Sequence, residues 1–179
     1  PGFILDKKED LLGIVLTHAH EDHIGAVAHI WPSLKCKMYA TPFTAALIYE
    51  KFKEKKIDIS SYLKIVPLNS KIKLGAFEID FVTLTHSILE PNGLSITTPL
   101  GTILHTGDWK IDPNPLIGGA IDEKKLKAIG DKGVSAMICD STNIFRPGRA
   151  GSESDVRDSL LKIMEIKTKR ILVTSFASN

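Results

Sequence analysis

Thr17-His18-Ala19-His20-Glu21-Asp22-His23 puts three imidazoles and two carboxylates into seven residues, directly after the apolar run Leu11 to Thr17 (LLGIVLT). That run is short and rich in aliphatic residues, and it reads as a buried strand. If the chain stays extended past Thr17, His18 and His20 project to the same side, because side chains alternate across a strand. Two imidazoles on one side can share one cation. Asp22 then falls where Asp is favoured at a helix start, and Ile24-Gly25-Ala26-Val27-Ala28 supplies small and apolar residues for a buried helix. The turn from strand to helix brings Asp22 and His23 back toward the same pocket. Nitrogen and oxygen ligands without thiolate suit zinc, with manganese or iron as alternatives.

Working outward, the chain alternates strand-like and helical segments. Strands are expected at Leu11 to Thr17, Lys37 to Ala40, Lys64 to Leu68, Lys71 to Leu74, Ala76 to Thr85, Leu94 to Thr98, Thr102 to Thr106, Val134 to Cys139 and Arg170 to Thr174. Helices are expected at Asp22 to Ile30, Pro42 to Lys55, Asp122 to Ile129 and Glu153 to Lys167, the last with Ser152 and Asp155 as a capping pair and an apolar stripe from Val156 to Met164. Prolines at 32, 42, 91, 99, 113 and 115 punctuate connections. Hairpin-like joints such as Leu74-Gly75-Ala76 argue for mixed or antiparallel sheets. Two further residues end strand-like runs, His86 after Phe77 to Thr85 and Asp108 after Leu100 to Leu104. A ligand placed where a rigid strand becomes a loop is fixed in position yet open to substrate.

These segments resemble a known family. His18-Ala19-His20-Glu21-Asp22-His23 matches the H-x-H-x-D-H signature of metallo-β-lactamase-fold hydrolases. Thr85-His86-Ser87 and His105-Thr106-Gly107-Asp108-Trp109 follow where that family carries its third-motif His and its bridging Asp. Asp140-Ser141-Thr142-Asn143 looks like the acidic motif A of the β-CASP branch, and the ordered set HSILEPNGL, HTGDWKIDP, CDSTN and FASN is most similar to the bacterial ribonuclease J family. The resemblance implies an α/β (α+β) fold, the four-layer αββα sandwich of the metallo-β-lactamases, here incomplete. It places the metallo-β-lactamase domain at residues 1–174 and the start of a β-CASP domain at 175–179. It also implies two divalent ions, zinc first and manganese as the alternative. One is held by His18, His20 and His86, the other by Asp22 and His23, with Asp108 bridging. A later histidine and an upstream Asp of the family fall outside this span, so the second site is expected to be incomplete here, weak or empty. Asp22, Asp108 and Asp140 carry the catalytic roles by the same likeness, and Ser87, Asn143, Ser178 and Asn179 are candidate phosphate contacts.

Composition narrows the setting. With 179 residues and 43% hydrophobic content the chain can bury a core, and two cysteines far apart point to free thiols in a reducing cytoplasm rather than a disulfide framework. No apolar stretch is long enough for a membrane span. Pro1-Gly2-Phe3 at one end, and Ser175 to Asn179 just past a strand-like run at the other, are read as cuts within a longer polypeptide. A net charge of +2 is too mild to announce nucleic acid by itself. The run Lys51-Phe52-Lys53-Glu54-Lys55-Lys56 is explained by a solvated helix face at least as well as by phosphate contact.

Three functions are therefore weighed. The first is a metal-dependent ribonuclease cleaving single-stranded RNA from a 5′ end, with internal cleavage as a further mode, in a protein expected to form homo-oligomers at full length. The second is a hydrolase of small thioesters or lactones on the same fold, which the DSTN and FASN motifs disfavour. The third is a metal-free RNA-binding or scaffold subunit, disfavoured because the ligands expected within this span are present.

Overall fold

The computed structural model describes residues 2–175. Two sheets form the centre. Strands β1 (Ile14–Val15), β2 (Met38–Ala40) and β3 (Leu63–Ile65) pair in parallel, in that order. Strands β4 (Lys71–Leu74), β5 (Phe77–Thr83), β6 (Asn92–Thr98) and β7 (Gly101–His105) run antiparallel in chain order, and β8 (Ala136–Ile138) joins parallel to β7. The helices are α1 (Gly2–Asp6), α2 (Glu21–Ile24), α3 (Val27–Leu34), α4 (Pro42–Glu54), α5 (Glu123–Lys132) and α6 (Glu153–Glu165).

Period-two alternation explains how the layers stack. Leu16, Met38 and Ala40 join Val27, Ala28, Trp31, Ala45, Ile48 and Phe52 in one buried cluster, so α3 and α4 cover the outer face of the parallel sheet. Val15, Tyr39 and Val66 point the other way and pack with Ile79, Phe81 and Leu94 between the sheets. On the far side of β5, Glu78 and Asp80 are polar and Val82 is buried. There Asp80 Oδ1 meets Lys125 Nζ of α5 at 2.6 Å, and the same ammonium donates to the Phe81 carbonyl at 2.7 Å. Helix, sheet, sheet, helix is the αββα order expected.

Several elements depart from expectation for local reasons. The first strand is only Ile14–Val15. Leu16 N still donates to Tyr39 O at 2.9 Å, but the Thr17 carbonyl leaves that ladder to accept from Asn92 N at 3.1 Å and Asn92 Nδ2 at 3.2 Å, at the start of β6. Residue 17 thus crosses from one sheet to the other. The single helix expected from Asp22 to Ile30 is two, α2 and α3, separated at Gly25-Ala26. A Cβ on Gly25 would lie 2.5 Å from the Glu21 carbonyl oxygen, a contact no larger residue tolerates. Pro32, read as a connection, lies inside α3. The first sheet is wholly parallel, and Arg170 to Thr174 forms no strand among the described residues. The apolar stripe of α6 is solvent-facing: Val156, Leu160, Leu161, Ile163 and Met164 are all exposed, as are Met137 and Ile138 of β8.

Candidate metal centre

Three loops and the one-turn helix α2 converge at one end of the two sheets. The chain leaving β1 carries His18 and His20, α2 carries Asp22 and His23, the loop after β5 carries His86, and the loop after β7 carries Asp108. His20 is the residue before the first turn of α2, and Asp22 sits within that turn rather than capping it. The helix is one turn long, and its work is to swing Asp22 and His23 around to the face that His18 already occupies.

The geometry falls into two groups that share Asp108. In the first, one ligand atom from each of His18, His20, His86 and Asp108 lies within 4.8 Å of the others. His86 Nε2 is 3.0 Å from His20 Nδ1 and 3.7 Å from Asp108 Oδ2, and His18 Nε2 is 3.9 Å from the same oxygen. In the second, His23 Nε2 is 3.2 Å from Asp108 Oδ1 and 3.6 Å from Asp22 Oδ2. The two oxygens of one carboxylate therefore face different groups. A tetrahedral ion bound at about 2.0–2.2 Å holds its ligand atoms about 3.4 Å apart, and the observed separations straddle that value.

His18 supplies the sharpest test of fit. It is fully buried, and its Nε2 has no hydrogen-bond partner among the described residues. Burial, aided by the neighbouring His23, His86 and His20, pushes its pKa down from 6.5 to about 3, so it is neutral at physiological pH. Thr17 Oγ1 lies 3.1 Å from Nδ1. In the tautomer that donates Nδ1–H to that hydroxyl, Nε2 aims a bare lone pair at an anionic oxygen, an arrangement that a cation between them converts from repulsive to favourable. His86 is also shifted down, chiefly by burial and by His20, against the upward pull of Asp108 and Asp140. The centre is suited to a divalent cation.

Asp140 stands beside this cluster rather than in it. Its carboxylate accepts from Thr142 N at 2.9 Å and Thr142 Oγ1 at 2.7 Å, and these bonds hold it below the usual carboxylate range. Its own amide donates to Thr106 Oγ1 at 3.1 Å, tying it to the strand end that carries Asp108. Ser87 and Asn143 are exposed, and neither belongs to the ligand groups. Ser178 and Asn179 lie outside the described residues. His105 Nδ1 accepts from Gly107 N at 3.5 Å, and His29 meets Lys55 Nζ at 3.5 Å, both apart from the centre.

Residues 1–138 match the β-lactamase superfamily domain. The chain belongs to that superfamily. Among curated members it is 42% identical over 178 residues to "Ribonuclease J" of Sinorhizobium meliloti, covering 99% of this chain and 32% of the relative. It is 40% identical over 184 residues to "Ribonuclease J" of Corynebacterium glutamicum (99% and 25%) and 39% identical over 173 residues to that of Helicobacter pylori strain 26695 (96% and 25%). The chain thus spans between a quarter and a third of the length of these superfamily relatives. A solved structure of a protein of unknown function from Enterococcus faecalis V583 superposes with a TM-score of 0.58 at 20% identity, covering 86% of this chain and 38% of that one, and shows the shared fold.

Three residues near the centre escaped sequence reasoning. Thr17 in sequence is only the end of an apolar run, and the fold alone brings its Oγ1 within 3.1 Å of His18 Nδ1, where it can set the tautomer. Thr85 and Asp112 bond across stretches of 25 and 40 residues, and no local pattern announces such partners. Asp112 is buried; burial pushes its carboxyl up, but Ser152 Oγ, the Glu153 and Asn114 amides and Lys110 outweigh that and hold it well below the usual range.

Proposed function

We propose that this chain carries the cation-binding centre of a ribonuclease J-type phosphodiesterase acting on single-stranded RNA, from the 5′ end and internally. The observation that carries the reading is the split carboxylate of Asp108, one oxygen toward His18 and His86 and the other toward His23. The curated relatives named ribonuclease J favour RNA over small esters as substrate. In this reading His18, His20 and His86 hold one divalent ion, Asp22 and His23 contribute to a second, and Asp108 bridges. Zinc fits the donors best, with manganese as the alternative.

Ions held there supply Lewis acidity, lowering the pKa of water toward neutrality and neutralising charge that builds on a phosphodiester. The chain's own residues do the rest. Neutral His18 presents a lone pair without a proton to displace, while Thr17 keeps its ring from turning. Asp22, exposed at the rim, is placed to orient water or take its proton. In this reading Asp140, ionised and pinned by Thr142, acts on the leaving group together with residues of the full-length protein. Residues 1–174 form the metallo-β-lactamase domain, and a β-CASP domain beginning at 175 supplies the RNA channel. No helix among the described residues is long and apolar enough to cross a membrane, and a cytoplasmic, homo-oligomeric enzyme is the setting proposed.

The test is cleavage of labelled single-stranded RNA, bearing a 5′-monophosphate or 5′-triphosphate, by the full-length protein with zinc or manganese. Mononucleotide release that prefers the monophosphate and disappears with Asp108→Ala supports the proposal. Cation bound but neither RNA cleaved, with a thioester or lactone hydrolysed instead, would refute it.

A further inference from the structure

The two ligand loops that meet at Asp108 and His86 are joined by a bridge outside either sheet. Thr85 and Lys110 pair antiparallel, with Lys110 N donating to Thr85 O at 2.8 Å. The Thr85 hydroxyl donates to Lys110 O at 2.5 Å and accepts from Asp112 N at 3.2 Å. His86 follows this bridge by one residue and Asp108 precedes it by two. Whatever holds the segment 110–112 in place therefore sets the spacing between two ligands.

That anchor is the Asp112 side chain, only 2% exposed. One oxygen accepts from Ser152 Oγ at 2.7 Å and Asn114 N at 2.9 Å; the other accepts from Glu153 N at 2.9 Å, with Lys110 Nζ at 3.3 Å. Ser152 and Glu153 begin α6, whose own cap is the reciprocal pair in which Ser152 N donates to Asp155 Oδ2 at 3.0 Å. A buried carboxylate with this many donors is rigid, and an apolar replacement strands donors without acceptors. We propose that Asp112 is a positioning residue for the cation centre: by gripping the start of α6 it fixes the Thr85–Lys110 bridge and so sets the distance between His86 and Asp108. This rests on the cation-binding reading above.

The competing explanation is that Asp112 only stabilises α6, and a second variant separates the two. Asp155→Ala breaks the α6 cap without removing any atom of the Asp112 carboxylate, its donors or the Thr85–Lys110 bridge. Equilibrium titration of the full-length protein with Co(II), followed by its visible ligand-field absorption, reads both affinity and coordination. Asp112→Asn is expected to weaken Co(II) binding about tenfold, the lower end of what loss of an outer contact does to a metal site, and to change the intensity of the absorption. Asp155→Ala is expected to lower Tm yet bind Co(II) within about twofold of the parent, with the same spectrum. Asp112→Ala should exceed Asp112→Asn in effect; if it does not fold, the Asn variant decides. Parent-like affinity and spectrum in Asp112→Asn, or equal changes in Asp112→Asn and Asp155→Ala, overturn the proposal. A parent protein that binds no Co(II) removes the cation reading itself and the proposal with it.

Discussion

His18 offers a quantitative prediction because its environment penalises a proton so heavily. The perturbation is His18→Asn, which keeps a polar group near Thr17 but removes the titrating ring. In the metal-free protein the folded-state pKa is about 3 against 6.5 when exposed. A lowered folded pKa means the unfolded chain binds the proton better, so the stability His18 contributes is complete above pH 6.5 and is lost as pH falls toward 3. With about 1.4 kcal/mol for each pH unit below 6.5, lowering the pH from about 7 to about 4.5 should cost the parent about 2–3 kcal/mol through His18 alone. Urea unfolding at both pH values, with the metal chelated, measures it. Titrating groups remote from His18 contribute equally to parent and variant, so the difference between their pH dependences reports the ring together with its coupling to His23, His86 and His20. The Asn variant should lose about 2–3 kcal/mol less than the parent over that interval. Parallel losses in the two proteins would refute the claim that His18 is held neutral by burial.

Other outcomes follow from single contacts. Gly107 has φ of +58°, and a Cβ there would meet the Asn92 carbonyl oxygen at 3.0 Å, so Gly107→Ala should lose at least about 1–2 kcal/mol in chemical denaturation and weaken cation binding through the adjacent Asp108. Phe52 is fully buried against Trp31 with ring centroids 5.4 Å apart, and Phe52→Ala should cost about 3–5 kcal/mol by the same assay without altering cation stoichiometry. Asp140→Asn in the full-length protein should leave cation affinity within about twofold while lowering RNA cleavage at least about a hundredfold, the smallest contribution typical of a general acid or base; unchanged cleavage would remove Asp140 from the chemistry.

Legibility from sequence followed the range of the interactions involved. The clustering of His18 to His23 could be read because the segment is local, its spacing is chemical, and the apolar run before it sets the phase. The layers could be read from alternation: Val15 and Leu16, or Met38 and Tyr39, divide between the two cores as period two requires. Boundaries failed where a tertiary bond competes with a ladder, as at Thr17, whose carbonyl turns to Asn92. The helix break at Gly25-Ala26 was hidden because the small and apolar residues from Ile24 to Ala28 continue the pattern without interruption. The β-rich run at 170–174 shows that a strand is defined by a neighbour, and composition does not supply one. Asp112 was invisible for a related reason, since its meaning lies in partners up to 41 residues away.

The most direct test of the account is the number of divalent ions that Asp108 governs. Zinc titration of the full-length protein, paired with Asp108→Ala, should show two saturable binding steps in the parent and weakening of both in the variant, because each carboxylate oxygen serves a different group of ligands. A parent with one step or none, or a variant that binds two ions as tightly as the parent, would contradict the shared-carboxylate centre on which the functional reading stands.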